Sequence, residues 1–233
     1  MKTKKMIKIW GLILLLTISS ISYAQTIVPF KKRYESVGIN GDLTIIGNSI
    51  LNNSVDIPYN GTGINNDFSM VYVDIDNDPT TFSSSSADYT LASCDRIVYA
   101  GLYWGSVLAP SNSNANTVKF KTPGGPYQTL TADVSLNNII YYKDVTTLIN
   151  AAPNKSGTYF VANVVSTLGR NMAAGWSMVI VYEGPNESRK FISTFDGFNH
   201  VSSGYPTESF YYNGFKTPPA PSPSRASPRS RPA

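Results

Sequence analysis

The chain has 233 residues, and its 19 Lys and Arg against 15 Asp and Glu give a formal net charge of +4. Seven of the basic residues lie within 1–24 and 217–233, so 12 basic residues face 15 acidic ones in the remaining body. That body is mildly acidic, and the isoelectric point of about 9.0 therefore gives no support to nucleic-acid binding. The single cysteine, Cys94, excludes an intramolecular disulfide and is expected as a small buried residue at the start of a strand.

Residues 1–24 have the pattern of a secretory signal peptide. A basic start with Lys2, Lys4, Lys5 and Lys8 precedes the apolar run 9–18, which is shorter than the roughly 20 residues of a membrane-spanning helix. The small residues of Ser22-Tyr23-Ala24 then suit a cleavage site, with Gln25 as the new N-terminus. We expect an exported protein, secreted or held at the cell surface, which meets the membrane only during export.

The body, residues 25–216, is rich in strand-forming residues and in turn residues. Alternating or continuous apolar runs predict strands at 43–51, 68–75, 94–106, 117–121, 127–134, 139–142, 159–165, 175–185 and 191–198. Segment 144–150 is the one predicted helical turn, with Asp144 as its cap, and 52–67 and 80–87 are predicted surface loops. Eight to ten antiparallel strands with almost no helix indicate an all-β fold, a jelly-roll-like β-sandwich in a single domain.

The strand at 175–185 carries the clearest signal. Trp176, Met178 and Ile180 fall on one face, and Val179 and Val181 fall on the other. In the segment 94–106 both faces are also apolar. Both segments are therefore predicted as central strands, covered on each side.

The last segment, 217–233, is dominated by Pro, Ser, Ala and Arg. Such a composition buries no core, so we expect a disordered tail. Two interpretations stay open, a linker to a further segment and the loss of the reading frame near Ser222.

Three aspartates at alternate positions, Asp74, Asp76 and Asp78, form the one candidate metal site. Carboxylates with this spacing converge on Ca²⁺ in calcium loops. Pro79 and Ser85 stand where an EF-hand needs Gly and Glu, so that motif is excluded. A shallower Ca²⁺ turn and a solvated acidic turn, with side chains bonded to backbone N–H groups, both remain open.

Three ordered motifs carry a resemblance to a known family. They are the segment 97–104, the pair 142–146 with 157–164, and the segment 175–183 followed by Thr194-Phe195-Asp196-Gly197-Phe198. Over residues 34–216 the chain resembles the N-terminal β-domain of large secreted surface proteins of gliding Bacteroidetes, which are associated with gliding motility and type IX secretion. The resemblance implies an adhesin-like module that is not an enzyme, and a domain that lacks its last strands beyond about Pro221. It implies no catalytic residues.

Two classes of function follow. The first is a cell-surface adhesion or structural module of a larger protein, with surface proteins, glycans or extracellular matrix as partners. The second is a carbohydrate-binding domain or glycoside hydrolase, in which Tyr103, Trp104 and Trp176 stack on sugar rings and the pair of Glu183 and Asp196 acts as acid and nucleophile. Core packing and strand-end solvation are the competing interpretations of these same residues.

A third class, a hydrolase with a Ser-His arrangement, has little support in the sequence. His200 is the single histidine, and the chain contains no Gly-x-Ser-x-Gly motif. We therefore interpret His200 as a surface-loop residue.

Overall fold

The computed structural model describes residues 27–60, 65–111 and 113–199. The predicted signal peptide, the predicted tail and His200 lie outside the described residues. Within them the first seven strands are β1 (Val28–Glu35), β2 (Ile39–Ser49), β3 (Leu51–Asn52), β4 (Val71–Tyr72), β5 (Ser84–Tyr89), β6 (Arg96–Ser106) and β7 (Thr117–Lys121). The remaining elements are β8 (Gln128–Thr131), β9 (Val134–Leu136), β10 (Ile140–Asp144), the helix α1 (Thr146–Ala151), β11 (Gly157–Ala162), β12 (Ala174–Glu183), β13 (Arg189–Lys190) and β14 (Ser193–Phe198).

Two antiparallel sheets face each other. The larger has six strands in the order β13-β2-β12-β6-β10-β9, and the smaller has four in the order β5-β11-β7-β8. Two ribbons, β1-β14 and β3-β4, complete the described architecture. The predicted all-β sandwich is confirmed, and the jelly-roll connectivity stays a prediction. The described part has 14 strands against the predicted eight to ten. Three of them, β3, β4 and β13, are only two residues long, and β1 and β5 lie where no strand was predicted.

The main core lies between the two sheets. Trp104, Met178 and Ile180 of the large sheet pack there with Phe120 and Tyr159 of the small one, and all are at most 1% exposed. At about 25 cal/mol per Å² of buried apolar surface, such large side chains supply much of the folding free energy. Strand β12 lies between β2 and β6, so the prediction of two central strands is confirmed.

A second core lies on the outer face of the large sheet, beneath the ribbon of β1 and β14. Tyr99, Tyr142 and Val181 are buried there, and Tyr34 of β1 stacks on Tyr99 with ring centroids 4.8 Å apart. A bulge in β6 moves Ile97 from this face into the main core, because Val181 pairs with Tyr99 whereas Tyr182 pairs with Ile97. Strict alternation in the sequence does not reveal this shift.

The predicted loop at 80–87 is wrong, since β5 begins at Ser84. Ser83, Ser84 and Ser85 are fully buried. Their hydroxyls are satisfied by hydrogen bonds inside the protein, for example from the Trp176 Nε1–H to Ser85 Oγ over 2.9 Å. Small side chains with internal partners allow a serine run to lie within a sandwich.

The predicted strand at 68–75 is reduced to Val71–Tyr72, because its partner β3 is also only two residues long. Strand β11 stops at Ala162, since the following Asn163 adopts a left-handed φ of 61°. The predicted helical turn is confirmed as α1, but the prediction of Asp144 as its cap is wrong, because Val145 holds the N-cap position without a side-chain cap hydrogen bond. Asp144 lies one residue earlier, and its Oδ1 accepts a hydrogen bond from the Thr146 N–H over 2.9 Å.

Candidate functional site

The three aspartates of the candidate calcium loop each accept hydrogen bonds from the protein. Asp74 Oδ1 accepts one from the Ser84 hydroxyl over 2.8 Å. Asp78 Oδ1 accepts two from Thr80, from the hydroxyl over 2.7 Å and the backbone N–H over 2.8 Å. The bonds from Thr80 hold the pKa of Asp78 below its ordinary value.

The third carboxylate, Asp76, is bonded to an aromatic side chain of another loop. The Tyr127 hydroxyl donates to Asp76 Oδ2 over 2.7 Å, and burial, followed by this bond, raises the pKa of Tyr127. The cations of Lys119 and Lys121 also contribute to the low pKa of Asp78. The described part of the chain holds no group of three or more His, Cys, Asp or Glu placed to hold a metal ion. The calcium site stays a prediction.

The two carboxylates considered as acid and nucleophile each accept a hydrogen bond from a different arginine. Glu183 accepts a hydrogen bond from the Arg96 Nε–H over 2.5 Å. Asp196 is 8% exposed, and its Oδ2 accepts from the Arg33 Nε–H over 2.6 Å and from the Tyr103 hydroxyl over 3.1 Å. The Arg96–Glu183 contact joins the ends of β6 and β12, whereas Asp196 links β14 to β1 and β6 from within its strand. Both contacts support a structural interpretation, and strand-end solvation is wrong for the buried Asp196.

The aromatics considered for sugar stacking are packed inside the protein. Trp104 and Trp176 are 1% and 5% exposed, and the Trp104 Nε1–H donates to the Ala115 carbonyl over 2.9 Å. Tyr103 is half-buried, and burial raises its pKa. The core-packing interpretation is confirmed for both tryptophans, and the stacking hypothesis is wrong for them. Cys94, expected to be buried, is exposed, because it lies in the turn before β6.

A cleft of about 280 Å³ lies where β2 and β6 end and β12 begins. Three loops form it, 49–60, 65–70 and 169–174. We call it the end cleft, and its principal lining residues are Leu51, Tyr59, Asn65, Phe68, Met70 and Met172. Leu51 and Met70 are buried in its floor, whereas Tyr59 and Phe68 are 45% and 40% exposed. An apolar floor with exposed aromatics and a few polar groups is typical of a binding site.

Hydrogen bonds between the loops fix the shape of the end cleft. Ser49 Oγ accepts from the Tyr59 N–H over 2.7 Å, and Asn65 Nδ2 donates to the Met172 carbonyl over 3.2 Å. Met70 and Gly169 exchange two backbone hydrogen bonds of 3.1 and 2.9 Å. The cleft is therefore largely formed before any ligand arrives, which reduces the entropic cost of binding.

A second, more open depression of about 510 Å³ joins the end cleft through Ser49, Ala173 and Ala174. We call it the end groove, and it continues past Gly105 and Val107. No described residue lining either depression is charged. Two other hollows on the described surface differ, since Arg96 and Glu183 line one and Asp88, Asp95 and Glu187 line the other.

Comparisons of the chain with protein-family models, curated proteins and solved structures found no match. The resemblance to surface proteins of gliding Bacteroidetes therefore stays a prediction. The described residues include no helix that is both long and apolar enough to cross a membrane.

Sequence reasoning missed the residues that line the end cleft. It assigned Phe68 to a strand and Tyr59 to a loop without a role. The available signal was the density of Asn in 52–68, where five of the 17 residues are Asn. The same loop contains Asn52-Asn53-Ser54, which matches an N-glycosylation acceptor sequence. Asn52 has a structural role, because it is 9% exposed and its Nδ2 donates to the Ile57 carbonyl over 2.6 Å. Asn52 is thus poorly placed for glycosylation.

Proposed function

We propose that the protein is an exported cell-surface adhesion module, part of a larger surface protein, which binds its partners without catalysing a reaction. The observation that carries the proposal is the end cleft, an uncharged, preformed depression with two exposed aromatics. A rigid sandwich that presents binding loops at one end is a common arrangement in recognition domains. Partners of this type are surface proteins, glycans or components of the extracellular matrix.

The polar groups outside the end cleft support a binding role over a catalytic one. A glycoside hydrolase needs two carboxyl groups at the scissile bond, about 5–9.5 Å apart. Glu183 and Asp196 instead pair with arginines.

Export and display are tested on producing cells. We expect N-terminal sequencing of the exported protein to begin at Gln25, and an antibody against the body to label intact cells. A mature protein that retains residues 1–24 inside the cell would contradict the exported location.

Adhesion is tested with a deletion strain and its complemented counterpart. We expect the deletion to reduce attachment to cells or glycan-coated surfaces, and the full chain to restore it. Equal attachment of the two strains, with the protein shown to be on the surface of the complemented strain, would contradict the adhesion role.

A further inference from the structure

We propose that the end cleft is a subsite for one neutral sugar residue of an extended glycan, and that the end groove takes the neighbouring residues of the same glycan. The inference rests on the proposed adhesion function and names the ligand class of its site. A volume of about 280 Å³ lies just below the range of small-molecule sites, about 300–1,000 Å³. A cleft of this volume suits a single sugar ring better than the surface of a folded protein.

The exposed aromatic ring of Phe68 lines the end cleft. Phe68 is 40% exposed, although burying a large apolar side chain generally contributes about 1.5–3 kcal/mol. Its neighbours in the chain, Met70 and Val73, are buried at 6% and 0%. A sugar ring has one face of C–H groups, which can pack on an aromatic ring and remove this apolar surface from water.

The edge of the end cleft carries a polar side chain that can pair with a sugar hydroxyl. Asn53 is exposed at the edge of the end cleft, and its amide offers both donors and acceptors. Sugar hydroxyls also donate and accept, so a single amide can pair with a hydroxyl on its ring. Asn65, in contrast, holds the loop to Met172 through its Nδ2.

The lining of both depressions favours an uncharged ligand. No described residue lining the end cleft or the end groove is charged. An anionic glycan would thus lose hydration on entry without gaining the charge-assisted hydrogen bonds that Arg or Lys supplies. The uncharged lining favours neutral sugars over uronates and sulfated sugars.

The end cleft and the end groove together are long enough for more than one sugar residue. The two depressions share Ser49, Ala173 and Ala174 and so form one path across the end of the large sheet. The end groove is open to solvent on the side of Val107, which is 56% exposed. An open path lets a polymer enter along its chain and does not require a free end.

The test uses the full chain, purified from the producing cells, on an array of neutral and anionic oligosaccharides. Three variants accompany it, Phe68→Ala, Phe68→Trp and Asn53→Ala. Phe82→Ala is the matched control, since Phe82 is a similarly exposed aromatic at 47% and does not line either depression. Affinities for the bound oligosaccharides are measured by calorimetry, and thermal unfolding confirms that each variant is folded.

We expect binding to neutral oligosaccharides and not to heparin or polygalacturonate fragments. Phe68→Ala should raise Kd by about tenfold or more, as for a central contact residue. Phe68→Trp should retain affinity, Asn53→Ala should raise Kd severalfold, and Phe82→Ala should leave Kd within about twofold. Longer oligomers should bind more tightly than single sugars.

The proposal is overturned if no neutral sugar binds, if anionic sugars bind better, or if Phe68→Ala and Phe82→Ala behave alike. It is also overturned if an uncharged peptide binds at Phe68 and the sugars do not. These failures differ from failure of the adhesion role. If adhesion survives Phe68→Ala, the adhesion function stands and the sugar subsite does not carry it. If neutral sugars bind but the deletion strain adheres normally, the sugar subsite stands and the adhesion function fails.

Discussion

The Arg33 guanidinium on β1 donates a hydrogen bond to the Asp196 carboxylate on β14 over 2.6 Å, across 163 positions of the chain. The same carboxylate oxygen accepts a bond from Tyr103 of β6. The guanidinium also lies 5.2 Å from the centre of the Tyr142 ring. The ribbon of β1 and β14 is thus held to the outer face of the large sheet by a buried charge pair as well as by apolar packing.

We expect Asp196→Ala to lower the free energy of unfolding by about 3 kcal/mol, because it leaves the half-buried Arg33 charge without its partner. Urea unfolding followed by tryptophan fluorescence measures the change. The surface pair of Lys32 and Glu35, at 34% and 31% side-chain exposure, provides the control, and Glu35→Ala should cost less than about 1 kcal/mol. Similar losses for the two variants would contradict the structural role of the Asp196 network.

Ser84→Ala should destabilise the protein by about 1–3 kcal/mol, since buried groups would lose their partner. The Ser84 hydroxyl accepts from the N–H groups of Ile75 and Asp76 and donates to Asp74. Ser86→Ala is the matched control, because the bond from Asn48 reaches the Ser86 carbonyl and not its hydroxyl. Equal thermal unfolding midpoints for the two variants would show that the hydroxyl of Ser84 is dispensable.

Calcium is expected to leave the thermal unfolding midpoint unchanged, within about 1 °C, over a titration into EGTA-treated protein. The reason is that Ser84, Tyr127 and Thr80 already donate to one oxygen of each aspartate, and Lys119 reaches the same loop by donating to the Thr80 carbonyl over 2.7 Å. Among the described residues, Asp76 Oδ1 is a buried oxygen with no hydrogen-bond partner. A cation that binds only the folded state raises stability. A concentration-dependent rise that Asp76→Asn abolishes would therefore establish the calcium site that the sequence suggests.

Alkaline pH should unfold the protein cooperatively. Burial raises the pKa of Tyr159 to about 12 and also raises the pKa values of Tyr99, Tyr103 and Tyr142, whereas the unfolded chain ionises near pH 10. Because the folded pKa values are higher, the stability from these groups is complete below about pH 10 and is lost as the pH rises above it.

This pH dependence is measured by tyrosinate absorbance together with circular dichroism. We expect a large part of the tyrosine ionisation to coincide with the loss of β-structure. Full ionisation near pH 10 with the circular dichroism unchanged would contradict the burial of these side chains.

The fold class could be predicted because it depends on local patterns that recur along the chain. The faces of β12 follow directly from the alternation of Trp176, Met178 and Ile180. The serine run at 83–86 could not be assigned in this way, since its burial depends on Trp176 and Asn163, which lie about 80–90 positions away. Polar composition predicts exposure only where no such distant partner exists.

The candidate site depended even more on tertiary structure. The end cleft joins Tyr59, Phe68 and Met172, from three loops whose proximity follows from strand pairing in the large sheet. The sequence by itself determined that this is an all-β protein with two central apolar strands, because side-chain alternation is a local property of the backbone. Only the tertiary structure decided which aromatics are exposed. It buried Trp104 and Trp176 and left Phe68 at the surface, since exposure depends on what the rest of the chain places against each side chain.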